Sequence, residues 1–245
     1  VNATGLKLAV QLPENNGAAG AALAAYVLPH RIYIKIVDWL IAIGTYPSVT
    51  STSLNGLRQK LADWPAQSLM KLRYEQAVAR EKPAPADAIR ALGDRKPASD
   101  DATLLLARSY VAVGRSDDAA KLIRAFWRDG DFSEGIETAI VRDFSGLLRS
   151  ADSKARMDRQ LYDENVTAAL RTAKLLDGNQ RALAKAVGDV IRGTSKAGKE
   201  LDALPAAMKR DALYTFARVH LLRVTGKIEA AANVLAAAPR DPKVI

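Results

Sequence analysis

Leu106–Ile123 reads LARSYVAVGRSDDAAKLI, and its punctuation decides the fold. Gly114 divides two apolar-periodic segments, and glycine takes the left-handed conformation that ends a helix at little cost. The first segment opens at Ser99 or Asp100 and runs to Val113. Ser116 is expected to cap the second, with Asp117 and Asp118 in its first turn, where carboxylates suit the helix dipole. Ala119 and Ala120 are small enough to let the first helix approach closely. Leu122, Ile123, Phe126 and Trp127 continue the apolar stripe until Gly130 stops it. The unit is a helical hairpin.

The pattern recurs. Phe216–Leu235 reads FARVHLLRVTGKIEAAANVL, with Ala-Arg early, Gly followed by a basic residue at the turn, then an acid and consecutive alanines. Leu161–Ala173, LYDENVTAALRTA, is a looser copy in which Asn165 is expected to hold the turn, since Asn tolerates that backbone better than most residues. Each hairpin leaves an apolar face that a neighbour must cover. The expected fold is therefore all-α, a superhelical solenoid of stacked, tetratricopeptide-like helical hairpins with no sheet. A compact helical bundle is the alternative. The spacing is too irregular for a strict array with a period of ~34 residues.

The rest of the chain fits this frame. About half of its 245 residues are apolar, mostly Ala and Leu, with few aromatics; both residue types lose little freedom in a helix. Further helices are expected near residues 18–28, 31–43, 54–62, 66–80, 86–92, 134–149, 154–162, 166–176, 180–191, 197–203 and 228–237. Asp152 or Ser153 is expected to open the helix ending at Tyr162. Pro205 is expected to start a long helix ending at Val224. No apolar run reaches the ~18–20 residues that span a bilayer, so no membrane span is expected. No signal peptide is recognisable, and the opening on Val1 rather than Met suits a processed or trimmed product.

Chemistry is sparse. There is no cysteine, which excludes disulfides, thiol catalysis and Cys-ligated zinc. His30 and His220 are far apart and read as packing or surface residues. Phosphate loops, HExxH and the GxSxG elbow are absent, and neither cofactor nor metal is expected. The acid pairs Asp100-Asp101, Asp117-Asp118 and Asp163-Glu164 fall at helix starts or turns, where they read as caps or solvated charge.

The formal net charge of +9 points to polyanionic neighbours. Its clearest local source is residues 171–199. There Arg171, Lys174, Arg181, Lys185, Arg192, Lys196 and Lys199 face only Asp177 and Asp189, a net +5. Arg181, Lys185 and Arg192 fall on one helix side, opposite a stripe of Leu183, Val187, Val190 and Ile191. This side is a solvated face or a docking surface for an acidic polymer. No set of exposed aromatics suits base stacking, so nucleic acid is not the expected partner.

Four blocks carry a resemblance. They are DWPAQSLMKLRYEQAV at Asp63–Val78, LARSYVAVGRSDDAAKLIRAFWRDGDF at Leu106–Phe132, DSKARMDRQLYDENVTAALRTAKLL at Asp152–Leu176 and FARVHLLRVTGKIEAAANVLAAAPRDP at Phe216–Pro242. Trp127-Arg128 and Ala-Arg-Met-Asp-Arg at Ala155–Arg159 are their most specific parts. In order and spacing they resemble the superhelical, non-catalytic region of the soluble lytic murein transglycosylases. The resemblance covers residues 63–245; residues 1–62 match only in helical character.

It implies a periplasmic protein whose helices form a ring-like superhelix beside a separate lysozyme-like domain. In that family the domain cuts the β-1,4 bond between N-acetylmuramic acid and N-acetylglucosamine of peptidoglycan, leaving 1,6-anhydro ends. Its catalytic Glu is followed by Ser. Here none of the eight Glu residues is followed by Ser, so no catalytic residue carries over. The expectation is a non-catalytic helical scaffold whose catalytic Glu lies beyond Ile245. Glycan strands would be met through the parent enzyme, with cell-wall proteins as further partners. The alternative is a stand-alone helical-repeat adaptor that binds a protein or peptide.

Overall fold

The computed structural model describes residues 31–93 and 95–238. The helix expected at residues 18–28, and His30, lie outside that range. The described residues form thirteen α-helices, two single-turn 3₁₀ helices and no strand. The chain is all-α.

Two compact units divide it. One contains the described residues up to Ile123 together with Phe132–Asp143; the other contains Arg124–Asp131 and the described residues from Phe144 onward. The first unit holds α1 (Arg31–Ile43), α2 (Ser51–Lys60), α3 (Gln67–Glu81), α4 (Pro85–Leu92) and α5 (Asp100–Ala112). α1 packs on both α2 and α3, so helices on either side of residue 63 share this unit. Trp39 and Trp64 meet at 6.4 Å around Ala42, Leu61 and Met70. Trp39 Nε1 donates to the Pro65 carbonyl at 3.0 Å, which settles the polar end of the ring. α6 (Ser116–Asp129) and α7 (Glu134–Phe144) follow, and a 3₁₀ turn at Ser145–Leu147 ends the helical run expected to reach residue 149.

The second unit holds α8 (Ser150–Tyr162), α9 (Val166–Ala173), α10 (Gly178–Ile191), α11 (Ala197–Asp202), α12 (Ala212–Val224) and α13 (Ile228–Ala237). Each packs on its neighbour in sequence, and α10 also meets α8 and α12. Met157, Leu161, Leu183, Val187, Leu201 and Leu213 form its sealed core. Each leucine of this set contributes about 2 kcal/mol by leaving water. Packing is close where side chains are smallest: a Cβ added to Gly188 on α10 would lie 2.6 Å from Val166 Cγ1 on α9.

The hairpin turns share one geometry. In the first, Arg115 N donates to Tyr110 O at 2.8 Å and Gly114 N to Val111 O at 3.1 Å. In the last, Lys227 N donates to Leu222 O at 2.8 Å and Gly226 N to Arg223 O at 3.1 Å. These are the paired bonds of a Schellman end, which satisfy carbonyls the helix cannot. The middle copy has the same pair, Asn165 N to Gln160 O at 2.7 Å and Glu164 N to Leu161 O at 3.1 Å. Here the left-handed residue is Glu164, with φ 58°, rather than Asn165. Asn165 instead caps α9, its side chain accepting from Ala168 N at 3.3 Å. Capping satisfies a donor that would otherwise be orphaned, and so takes the Asn one position later. A fourth turn of this form, at Arg192-Gly193-Thr194, was not expected from the sequence pattern.

Several helix starts also differ from expectation: α2, expected from residue 54, opens at Ser51, where the Thr50 side chain accepts from Ser53 N at 3.2 Å. Ser116 is the first residue of α6, one place inside its expected position. α8 opens at Ser150, because the Asp152 carboxylate reaches back to accept from Arg149 N at 3.0 Å. α12 begins at Ala212 rather than Pro205. Asp211 is extended, and its side chain accepts from Leu213 N at 2.9 Å, which starts the helix there.

Candidate functional site

The basic side of α10 is the first candidate. Asp177 caps that helix, accepting from Asn179 N and Gln180 N at 2.8 and 3.0 Å. The buried stripe of Leu183, Val187 and Val190 then turns Arg181, Lys185 and Arg192 toward solvent, and all three are exposed. Each also has an internal partner. Arg181 Nη1 donates to the Leu176 carbonyl at 2.7 Å. Arg192 Nη2 reaches Thr167 Oγ1 at 3.4 Å. Lys185 pairs with Glu200 of α11 and, at 3.4 Å, with Asp189. The hydrogen bond to Glu200 raises the Lys185 pKa. Glu200 lies 15 residues beyond Lys185, on the next helix, so only packing brings the two together. Lys174, Lys196 and Lys199 are exposed and have no ion-pair partner among the described residues. The face is cationic, with part of its charge already answered.

The acid pairs divide by neighbourhood. Ser99 caps α5, accepting from Ala102 N, which puts Asp100 and Asp101 in the first turn. Burial, and secondarily Asp101, raises the Asp100 pKa. Both carboxylates line an open polar groove of about 640 Å³ with Arg108 and Ser133. Asp118 pairs with Arg115 at 2.6 Å, and Asp163 with Arg159 at 3.5 Å. Among the described residues no group of three or more His, Cys, Asp or Glu side chains is set to hold a metal.

The residues behind the resemblance meet inside the second unit. Arg156, 2 % exposed, donates to the Trp127 and Gly130 carbonyls at 2.9 and 2.7 Å. Its guanidinium lies 4.6 Å from the Trp127 ring centroid. Trp127 Nε1 in turn donates to Ser153 Oγ at 3.2 Å. Asp152, also buried, pairs with Arg128 at 2.9 Å. Arg159 donates to Arg128 O and Gly130 O at 3.1 and 3.0 Å. Two arginines of α8 thus satisfy the carbonyls at the end of α6, where positive charge also suits the helix dipole.

No protein-family model, curated protein or solved structure matches the chain. The network has an evident structural role: it ties Arg124–Asp131 to α8. What the sequence missed is elsewhere. Tyr162, Arg210, Phe216, His220, Arg223 and Leu235 line an apolar groove of about 260 Å³ in the second unit. Phe216, His220 and Arg223 recur at helical spacing, which reads equally as core, and nothing local shows that no further helix covers them.

Proposed function

We propose that this chain is the non-catalytic helical scaffold of a periplasmic, peptidoglycan-acting lytic transglycosylase, with its catalytic carboxylate supplied from outside these 245 residues. The observation that carries the reading is the resemblance of the four sequence blocks, in order and spacing. It is supported by the meeting of their most specific residues, Trp127, Arg128, Asp152, Arg156 and Arg159, in one internal network. The absence of a Glu-Ser step anywhere in the chain agrees with a supporting rather than a cleaving role. The basic α10 face suits glycan strands whose stem peptides carry carboxylates.

The test is co-sedimentation with purified sacculi. Binding is expected to weaken at least fivefold when Arg181, Lys185 and Arg192 are all changed to Glu; unchanged binding overturns the role of that face. Release of 1,6-anhydro muropeptides by this chain alone contradicts the scaffold reading. The second reading, a stand-alone adaptor for a protein or peptide, is favoured by the apolar groove. An in-frame Glu-Ser motif in the encoding gene, beyond the codon for Ile245, separates the two in favour of the scaffold.

A further inference from the structure

We propose that the groove along α12 is a docking site for an amphipathic helix of a partner protein, apolar at its centre and acidic at both ends. The inference stands on the groove alone and holds whether or not the chain serves a cell-wall enzyme.

The argument begins with spacing. Ala212, Phe216, Val219 and Arg223 of α12 all line the groove, three or four residues apart, which is the ridge on which a second helix packs. α13 closes one side with Leu235, which is 56 % exposed. Tyr162 contributes its ring edge-on to Phe216 at 5.3 Å and is itself 42 % exposed. Such aromatic and leucine surface is costly to leave in water, and a partner's apolar side chains would remove it from solvent.

Charge specifies the occupant. Arg210, two residues before α12, and Arg223, near its last turn, bracket the groove. Both are exposed and have no hydrogen-bond or ion-pair partner among the described side chains. Among the described residues no carboxylate lines the groove. Asp211, the nearest in sequence, is committed to Leu213 N and to Lys154 at 3.0 Å. An apolar floor between two unanswered arginines fits a helix with leucine-like anchors at i, i+3 or i+4, and i+7, and carboxylates at its ends. α12 has 13 residues, so the matching helix is about 20 Å long, or between three and four turns.

The experiment is fluorescence anisotropy on the full 245-residue chain with a fluorescein-labelled 14-residue peptide, leucines on one face and glutamates at both ends. Saturable binding is expected. Arg210→Glu with Arg223→Glu, and separately Leu235→Glu, should each weaken it at least tenfold while the circular dichroism spectrum is unchanged. A peptide with lysines in place of the glutamates should bind the charge-reversed variant and not the parent. Equal binding of a glutamate peptide without leucines would reduce the effect to the +9 charge of the chain and overturn the proposal. Insensitivity to all three substitutions overturns it as well. A tenfold gain in affinity on removing residues 239–245 would assign the groove to that segment instead, and equally overturn it.

Discussion

At the scale of single residues, the second unit depends on a buried cation. Arg156 is almost wholly enclosed, and its Nη1 donates to the Trp127 and Gly130 carbonyls. Truncation therefore loses hydrogen bonds, stacking on Trp127 and the satisfaction of two acceptors together. Arg156→Ala is expected to destabilise the chain by about 3 kcal/mol in urea unfolding. Arg156→Lys should recover less than half, because a point charge cannot both stack and fork.

Asp143 offers a pH test at the same scale. Its carboxylate accepts from Arg142 Nε at 2.6 Å and from Arg108 Nε at 2.8 Å. The bond from Arg142, and after it Arg108, lowers its pKa to about 2 against the desolvating effect of burial. A folded-state pKa below the unfolded value stabilises the fold above the unfolded pKa of ~3.9, and that contribution is lost as pH falls toward 2. The site is solvent-exposed, so screening limits the effect to about 0.5 kcal/mol. Asp143→Asn should thus cost about that amount at pH 7 and only a small part of it at pH 2, measured by urea titration at each pH.

At the scale of elements, the hairpin turn is the repeating device, and one copy is strained. Gly114 and Gly226 take φ of 81° and 74° without a side chain to clash, whereas Glu164 adopts 58° with one. A left-handed non-glycine residue costs about 1 kcal/mol. Glu164→Gly is expected to raise the melting temperature by a few degrees, the gain being trimmed by the freer unfolded chain. Gly114→Ala should act in the opposite sense. No atom lies within 4 Å of its added Cβ, so that loss isolates the backbone contribution. The glycine-marked turns were readable in advance because the residue and the conformation imply each other. The Glu164 turn was not, since only the carbonyls of Gln160 and Leu161, held in place by their own helix, force that shape on an unsuited residue.

At the scale of the whole molecule, a division into two compact units predicts unfolding in more than one step. The tryptophans report on them separately: Trp39 and Trp64 lie in the first unit and Trp127 in the second. With Trp39→Phe and Trp64→Phe, fluorescence follows the second unit alone. Its guanidinium midpoint is expected to differ from that of far-ultraviolet circular dichroism, which follows both. Coincident curves would show a single cooperative transition.

The candidate sites separate what each level determined. Ala- and Leu-rich composition, 3.6-residue periodicity and glycine punctuation were enough for an all-α chain and for most helix limits, because helix formation is set by residues within a turn or two of each other. The basic side of α10 was equally legible, since one helix places Arg181, Lys185 and Arg192 by period alone. Its answering partners were not: Glu200, Leu176 and Thr167 reach it from other elements or turns. Trp127 and Arg156 are 29 residues apart in the sequence, and only packing makes them one network. The α12 groove shows the same limit. Phe216, Val219 and Arg223 form a stripe by their spacing; which parts of it are covered is a property of the tertiary structure, which buries Val219 in one cluster with Ala231 of α13 and leaves Arg223 exposed.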